Sequence, residues 1–194
     1  MLIRDAGPAD MAAVGELRVA AYRAGHHLSD NSTYAPVLRE LGADGHGEVL
    51  VAVSTADADA AGPAGPAGPV GPVGPADQAG PAGPAGHTLV GTVMLQLWPD
   101  TGDIVRGPGE AEIRALAVAP GAQGAGVGTA LLKALIERAR LRGVGHLVLY
   151  TQPEMRAAQH MYERAGFRRL AERDRAPRPG YQLLAYGLVL SVES

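Results

Sequence analysis

The chain of 194 residues contains no cysteine, a single tryptophan and a single phenylalanine. Without cysteine it forms no disulfide, holds no thiolate-bound metal and has no cysteine nucleophile. An excess of one charge is also missing, because 17 basic residues stand against 20 acidic residues and the net charge is −3. A general nucleic-acid binder usually has a basic face, so we expect no nucleic-acid partner.

Long apolar runs are missing as well. The uncharged stretch that most resembles a membrane span, residues 115–132, contains Pro120 and four glycines, which makes it a poor membrane span. The first residues lack the apolar core of a signal peptide, because Asp5 and Asp10 interrupt them. We therefore expect a soluble, cytoplasmic protein with no membrane partner.

Glycine and proline are abundant, and they concentrate in one segment. In residues 62–86, 15 of 25 residues are Gly or Pro, in a Gly-Pro-Ala/Val repeat of period three that is interrupted at Asp77. Eight triplets in one chain are too few for a stable collagen helix. We expect one domain over residues 1–194, with residues 56–87 as a flexible low-complexity insertion in a β-hairpin. The alternative is a spacer or partner-docking role for the repeat.

The rest of the chain alternates between strand and helix patterns. Hydrophobic spacing predicts helices over residues 8–24, 33–41, 126–142 and 155–165, and strands over 2–4, 48–54, 88–95, 112–118, 147–150, 167–170 and 182–190. A strand–helix–strand unit lies at the centre of this order. The pattern predicts an α/β (α+β) fold with a mixed sheet.

The segment from Val118 to Thr129 follows a strand and opens a helix. Unpaired N–H groups and the positive end of the helix dipole suit a phosphate there, and glycines allow close approach. A P-loop is excluded because no Lys precedes the helix, and a dinucleotide motif fails because Thr129 stands where its third glycine belongs. On these residues alone, the alternative that this is a glycine-rich turn between a strand and a helix, with no ligand, stays open.

Two motifs in register carry a resemblance to a family. Gln123-x-x-Gly126-x-Gly128 resembles the coenzyme A loop of GNAT-type N-acetyltransferases, and Ala158-x-x-x-Tyr162-Glu163-x-x-Gly166-Phe167 resembles that family's second hallmark. One predicted strand separates them, as in the family, and the order of elements agrees everywhere except in the repeat. Many members carry an Asn seven positions before the Tyr, where this chain has Met155.

The resemblance implies a mostly antiparallel sheet of six to seven strands, about four helices and splayed central parallel strands. It also implies direct transfer of an acetyl group from acetyl-CoA to a primary amine in a ternary complex, with no metal. Pantetheine would pair with Leu116, Ala117 and Val118, and an N–H near Leu116 would polarise the acetyl carbonyl. The pyrophosphate would bind the N–H groups of Gln123, Gly124, Ala125, Gly126, Val127, Gly128 and Thr129.

Tyr162 is the family's candidate general acid, and packing against the thioether is its alternative role. Glu112, at the predicted start of the fourth strand, is the candidate base, unless it is only an exposed carboxylate. His26, His27 and Tyr34 are candidates for the acceptor site, and neutral His suits proton removal near pH 7. The alternative for His26 and His27 is a solvated pair at the end of a helix.

Further candidates have less support from the sequence. Asp10 and Tyr22 are further candidates for the acceptor site. Five arginines in residues 168–178 predict a solvated hairpin, or a site for an anionic acceptor or the outer phosphate of the coenzyme.

The function that we expect is acetyl-CoA-dependent N-acetylation of a small-molecule amine or a peptide. The rival is a catalytically silent module that binds acyl-CoA as a sensor. The coenzyme loop does not separate the two, whereas Tyr162 favours the enzyme. A monomer or a homodimer is expected.

Overall fold

The computed structural model describes residues 1–29, 32–54 and 88–190. The elements in chain order are β1 (Leu2–Asp5), α1 (Met11–Ala24), α2 (Tyr34–Glu40), β2 (Glu48–Ser54), β3 (Thr88–Leu97), β4 (Glu110–Val118), α3 (Val127–Leu141), β5 (His146–Thr151), α4 (Arg156–Arg164), β6 (Arg168–Arg169), β7 (Arg175–Arg178) and β8 (Tyr181–Val189). Short 3-10 turns lie at Pro8–Asp10, Pro120–Ala122 and Ala171–Arg173. Within the described ranges, no helix is long and apolar enough to cross a membrane.

The strands form one mixed sheet in the order β1-β2-β3-β4-β5-β8-β6, and β7 pairs with the outer part of β8. Neighbours are antiparallel except β4 and β5, which run parallel and are joined through α3. The predicted mixed, mostly antiparallel sheet with four helices is confirmed. Eight strands form instead of six to seven, because the short β7 adds a hairpin to β8.

Both faces of the sheet are covered, which explains the apolar run in β2. Leu50 and Ala52 point towards α3, whereas Val49, Val51 and Val53 point towards α1. A strand that is buried on both faces reads as continuously apolar. β2 therefore lies between α3 on one face of the sheet and α1 on the other.

The start of β4 and the hairpin over residues 168–178 differ from what the sequence predicts. β4 begins at Glu110, two residues earlier than predicted, so Glu112 is its third residue. The hairpin over residues 168–178 is not simply solvated, because Arg169 pairs with Asp174 at 2.6 Å and Arg173 pairs with Glu110 at 2.8 Å. Asp174 lies only five residues from Arg169, whereas Glu110 is 63 residues from Arg173, so the sequence does not show that second partner.

The repeat at residues 62–86, and the expected insertion at 56–87, lie outside the described residues and stay a prediction. The strands on either side of it do pair. Ser54 of β2 lies opposite Thr88 of β3 in antiparallel register. The two ends of that segment are therefore neighbours in the sheet.

A bulge in β4 lies next to the point where β4 and β5 stop pairing. Thr92 pairs with Ala117 and Met94 with Arg114, so β4 holds one extra residue, Ala115, whose φ is +48°. Pairing between β4 and β5 ends at Ile113. A bulge bends and twists its strand. The expected splay of the central parallel strands is thus observed, and it begins where the bulge lies.

An ion-pair network closes the other end of β4. The Glu110 carboxylate accepts hydrogen bonds from both terminal nitrogens of Arg173, at 2.8 and 2.9 Å, and from the Arg106 backbone N–H at 2.8 Å. Its Oε1 also lies 2.9 Å from His146 Nδ1. Burial opposes ionisation, but these donors outweigh it and lower the pKa of Glu110 to about 2.

We expect Glu110→Gln to weaken the fold in a pH-dependent way. The pKa of Glu110 is about 2 in the folded chain, against an ordinary value of 4.5, so its stabilising effect is complete above 4.5 and is lost as pH falls towards 2. The substitution should lower the free energy of unfolding at pH 7 by about 3 kcal/mol and flatten its decline on acidification. Urea titrations across this pH range measure both effects.

Glu137→Gln is the matched control, because Glu137 forms an exposed pair with Arg140 on α3. Exposed pairs contribute about 0–1 kcal/mol, so this variant should follow the wild-type curve. Equal effects of the two substitutions would contradict the role given to Glu110.

Candidate active site

A cleft of about 560 Å³ opens where β4 and β5 part. Its walls come from α1 and the following loop, β4, the turn into α3, the end of β5, and α4. The lining residues are Ala21, Tyr22, Gly25, His27, Ile113, Ala115, Leu116, Ala117, Val118, Ala122, Gln123, Gly124, Gly126, Val127, Gly128, Thr129, Tyr150, Thr151, Glu154, Met155, Arg156, Ala157, Ala158, Met161, Tyr162 and Arg164. A second cavity of about 460 Å³, against the β7–β8 hairpin, also reaches Glu154.

The turn into α3 presents unpaired backbone donors to this cleft. Gly124 and Gly126 have φ values of +79° and +81°, and nothing lies within 4 Å of where a Cβ would stand on either. The first backbone bond of the helix runs from the Ala130 N–H to the Gly126 carbonyl at 3.0 Å, so the N–H groups of residues 127–129 precede the helical ladder. The turn can accept an anion at the positive end of α3.

The outer half of β4 forms the wall beside this turn. Ala117 and Val118 pair with β3 on one side, and the opposite edge has no strand partner beyond Ile113 among the described residues. Gln123 bends back so that its Nε2 donates to the Val118 carbonyl at 3.3 Å. Of the residues predicted to hold the coenzyme, only Ala125 does not line the cleft.

Tyr162 stands on α4 at the base of the cleft and is 6% exposed. Its ring packs against Phe167, at 5.7 Å between centroids, and against Tyr186 at 6.4 Å. The Phe167 N–H donates to the Tyr162 carbonyl at 3.0 Å, which fixes the end of the helix. Burial raises the pKa of the Tyr162 phenol, so the hydroxyl is protonated at neutral pH.

Glu112 is buried, not an exposed carboxylate at a strand start, and it does not line the cleft. Its Oε2 accepts the Gly102 N–H at 2.8 Å, and its Oε1 lies 3.8 Å from Arg114 Nε. Burial raises its pKa, against the opposing effects of Arg114 and Gly102. The next residue, Ile113, lines the cleft.

The acceptor candidates separate into two groups. Tyr22 and His27 line the cleft, whereas His26 and Tyr34 are exposed and do not. The His27 ring packs over Gly25, where a Cβ would stand 2.6 Å from Cδ2. Burial lowers the pKa of His27, partly offset by Glu154, so the imidazole is neutral near pH 7.

Asp10 belongs to the fold and not to the cleft. Its side chain is 3% exposed, accepts from Arg4 at 2.6 Å and from the Gly7 N–H at 2.8 Å, and holds the entry to α1. Because both carboxylate oxygens serve this corner, Asp10 does not contribute to the acceptor site.

Several cleft residues carry no sequence signal. Arg156 and Arg164 of α4 line the cleft, whereas the five arginines of residues 168–178, predicted for the outer phosphate or an anionic acceptor, do not. Met155 lines it where the family has Asn, and its sulfur lies 3.6 Å from Thr151 Oγ1. Helical spacing does not single out Arg156, because the sequence does not show which side of α4 faces the cleft. Among the residues that the structure describes, no three His, Asp or Glu side chains are grouped to hold a metal ion.

The parted parallel strands, the glycine turn and the α4 tyrosine together form the cleft of an α/β domain, beside a turn that can accept an anion. Residues 77–167 match the acetyltransferase (GNAT) family. The ribosomal-protein-S18-alanine N-acetyltransferase of Escherichia coli superposes with a TM-score of 0.63 at 17% identity, over 100% of this chain and 96% of that one. The yncA protein of Salmonella typhimurium, solved with acetyl-CoA, gives 0.61 at 20% identity, over 100% and 96%.

A mycothiol acetyltransferase of Beutenbergia cavernae is 38% identical over 77 residues, which are 40% of this chain and 25% of the relative. The match thus spans about a quarter of the length of that relative. The solved structures show that the fold is shared, and the family match includes both motifs, at residues 123–128 and 158–167. Residues 77–167 thus carry the match to the GNAT acetyltransferase family, and over these residues the resemblance drawn from the sequence is confirmed.

Proposed function

We propose that the chain transfers an acetyl group from acetyl-CoA to a primary amine, directly and within one ternary complex. The observation that carries the proposal is the turn into α3, where the N–H groups of residues 127–129 precede the helical ladder beside a cleft that Tyr162 also lines, whereas the Gln123 N–H already donates to the Pro120 carbonyl at 3.4 Å. Acetyl-CoA supplies an activated thioester. In the transfer an N–C bond forms, the C–S bond breaks, one proton leaves the amine and one reaches the thiolate.

The turn and the outer half of β4 would hold the coenzyme. N–H groups of residues 124–129 suit its pyrophosphate, and the free edge at Leu116–Val118 suits its amide-bearing arm. Arg156 and Arg164 at the cleft wall add positive charge for phosphate. An N–H near Leu116 would polarise the acetyl carbonyl.

Tyr162 would donate the proton that the thiolate needs. Burial raises the pKa of the phenol, which by itself makes it a weaker acid. A thiolate forming in the same desolvated place is disfavoured for the same reason, so the two groups stay matched. Its place at the base of the cleft favours an enzyme over a silent acyl-CoA sensor.

Two residues compete for the role of base. Glu112 has a raised pKa, but Ile113 and not Glu112 lines the cleft. Glu112 would therefore take the proton from the amine through a bridging water molecule. His27 lies in the wall and is neutral near pH 7. Glu112 is our first choice, since a raised carboxyl pKa is what a base working near neutrality needs.

The test of the function is release of coenzyme A thiol from acetyl-CoA in the presence of amines, with acetylated products detected by mass. Small amines and peptides with free amino termini both belong in the panel, because one similar protein is named for mycothiol and another for a ribosomal protein. Transfer to at least one amine is expected. Binding of acetyl-CoA without transfer across the panel would favour the sensor.

Glu112→Gln is expected to lower kcat/KM by about 10²-fold, because general-base catalysis contributes about 10²- to 10⁴-fold. In the wild-type chain the base works only when ionised, so kcat/KM should fall as pH drops through the raised pKa of Glu112. The variant should lose this acidic limb. The pH profile of kcat/KM measures both.

His27→Gln separates the two candidates within the same assay. If the acidic limb disappears in His27→Gln and persists in Glu112→Gln, the base is His27 and the assignment to Glu112 is wrong. Glu172→Gln, at an exposed position after β6, controls for the loss of a negative charge.

A further inference from the structure

Two cavities of the structure meet at Glu154. The cleft has a volume of about 560 Å³, and the cavity against the β7–β8 hairpin has a volume of about 460 Å³. We call the second one the hairpin cavity, and it is bounded by the turn at residues 152–154, by Ala176 and by residues 180–182. Glu154 lines both cavities, and no other residue in the described part of the chain does. A ligand can therefore reach Glu154 from either cavity.

The turn that carries Glu154 is held from within the fold. The buried Gln159 of α4 donates from its Nε2 to the carbonyls of Gln152 and Pro153, at 2.8 and 3.0 Å. Gln152 in turn donates from its own Nε2 to the Tyr181 hydroxyl at 2.9 Å, which ties the turn to β8. The backbone at Glu154 is thus fixed where the two cavities meet, while its side chain stays exposed.

Glu154 has no cationic partner within the protein. It forms no ion pair with any residue that the structure describes. Three stretches lie outside the described residues, and none of them contains Lys or Arg: 30–31, 55–87 and 191–194. The arginines of β7 are engaged elsewhere, since Arg175 pairs with Asp103. Arg178 lies over the ring of Tyr181, at 4.6 Å from its centroid. The carboxylate of Glu154 is therefore available to a ligand.

The negative charge of Glu154 acts on one residue in each cavity. Burial lowers the pKa of His27 in the cleft, and Glu154 opposes that effect. Burial and Tyr34 raise the pKa of Tyr181 in the hairpin cavity, and Glu154 adds to that effect. A cation in either cavity would therefore be attracted to Glu154.

The walls of the hairpin cavity suit a cation and not an anion. Among the described residues that line it, Glu154 is the only charged one. Gln152, Tyr181 and Gln182 add amide and hydroxyl oxygens, which can accept hydrogen bonds from an ammonium group. The cleft differs, because two arginines of α4 also stand in its wall and suit the phosphates of the donor.

The nitrogen that is acetylated is a poor partner for Glu154. It must lose its proton before it attacks the acetyl carbonyl, and a nearby carboxylate stabilises the protonated form. A second nitrogen in the same acceptor can stay protonated throughout, so that an ion pair with Glu154 does not oppose the reaction. The hairpin cavity has room for such a group outside the cleft.

We propose that Glu154 binds a protonated nitrogen of the acceptor in the hairpin cavity, so that the substrate is an amine with a second cationic group, such as a linear diamine. This inference rests on the proposed acetyl transfer, because it concerns the acceptor of that reaction. Glu154 determines which amine is chosen and takes no part in the bond changes.

Binding tests the site without any turnover. Cadaverine, a linear diamine, and 1,5-pentanediol have the same number of heavy atoms, and only the first is a cation. In the presence of coenzyme A, cadaverine should raise the melting temperature in a concentration-dependent way, with sodium chloride as the control for ionic strength, whereas the diol should not. Equal responses to cadaverine and the diol would overturn the proposal.

Three substitutions locate the response. Glu154→Gln keeps the shape of the side chain and removes its charge, so it should abolish the preference for cadaverine. Gln182→Lys adds a positive charge to the hairpin cavity alone and should also weaken the response. Glu172→Gln removes an exposed carboxylate that lines neither cavity, and should respond as wild type does. A cadaverine response that survives in Glu154→Gln would show that the cation binds elsewhere.

Kinetics test the link to the acceptor. Hexylamine matches cadaverine in length but carries a methyl group in place of one ammonium group. Per amino group, we expect kcat/KM to be about fivefold higher for cadaverine, the size of effect that an exposed ion pair provides. Glu154→Gln should bring this ratio close to one through the KM of cadaverine. The ratio also excludes an indirect effect through His27, because a change in that imidazole would alter both substrates alike.

The outcomes separate the site from the reaction. If hexylamine is acetylated as well as cadaverine, the cationic site is wrong and acetyl transfer stands. If no amine is acetylated but the cadaverine response depends on Glu154, the transfer is wrong and the site stands.

A peptide with a basic side chain presents the same chemistry as a diamine. The amides of alanyl-arginine and alanyl-citrulline have nearly the same shape, and only the first has a second cation. A preference for the arginine peptide that vanishes in Glu154→Gln, without a preference for cadaverine over hexylamine, would identify a peptide as the source of the cation. If neither pair shows a preference that depends on Glu154, the proposal is overturned.

Discussion

Tyr162→Phe should lower kcat for acetyl transfer by about 10²- to 10⁴-fold, the range that a general acid contributes. The substitution removes one oxygen from a ring that Phe167 and Tyr186 hold in place, so the ring should stay where it is. Binding of coenzyme A should change little, because its main contacts are expected at the turn of residues 123–129. Steady-state kinetics and calorimetric titration with coenzyme A separate the two effects.

The pH dependence gives a second signature of Tyr162. Burial raises the pKa of its phenol, so the acid form persists through neutral and mildly alkaline pH. Between about pH 7 and 9, the kcat of wild type should therefore not decline through ionisation of Tyr162, and its pH dependence should match that of the variant. A decline in that range that vanishes in Tyr162→Phe would mean that the phenol ionises more readily than its burial allows.

Tyr186→Phe is the matched control for Tyr162→Phe. Tyr186 is buried in the same aromatic group, but its hydroxyl donates to Glu163 at 3.2 Å and it does not line the cleft. We expect kcat within about twofold of wild type, with a loss of stability of about 1 kcal/mol from the lost hydrogen bond. If both tyrosine variants lost activity equally, Tyr162 would have a packing role only.

Gly126→Ala should raise the Kd for acetyl-CoA by about 10- to 100-fold. Gly126 adopts φ +81° as the N-cap of α3, a conformation that an alanine adopts only at a cost. Relief of that strain would turn the N–H groups of residues 127–129 away from the cleft. A hydrogen bond to a charged group contributes about 1.5–3 kcal/mol, so the loss of one such bond accounts for the change.

Gly143→Ala supplies the control at the opposite end of the same helix. Gly143 has φ +70°, and like Gly126 it has open space where a Cβ would stand. Both variants should lose about 1–2 kcal/mol of folding stability from the same backbone strain. Only Gly126→Ala should weaken coenzyme binding. Equal loss of binding in the two would show that stability, and not the turn, controls the affinity.

The sequence predicts the turn well because all of its signals are local. A strand, a glycine-rich segment and an amphipathic helix follow one another between Val118 and Leu141, and unpaired donors at a helix start are a property of any helix. The α4 position of Tyr162 is equally local, because the helical spacing of Ala158, Met161 and Tyr162 places them on one side. These residues line the cleft as a consequence.

The environments of Glu112 and Arg18 could not be predicted in the same way. Glu112 is buried because the loop at residues 99–109 folds over it and offers the Gly102 N–H. Ile104 and Val105 fasten that loop to Val148 and Ala185 in other strands. Arg18 interrupts the apolar positions of α1 and would be read as exposed, yet carbonyls at the end of α2 hold it inside. Such burial depends on contacts between distant segments.

The extra residue at Ala115 divides β4 into two parts with opposite phase. Before it, Ala111 and Ile113 point towards α3; after it, Ala117 points towards α1 and Leu116 and Val118 towards α3. Ile113 before the bulge and Leu116, Ala117 and Val118 beyond it all line the cleft, whereas Glu112 does not. A substitution before the bulge can therefore change one wall of the cleft without altering the phase of the strand edge beyond it, which is the edge that we propose holds the coenzyme.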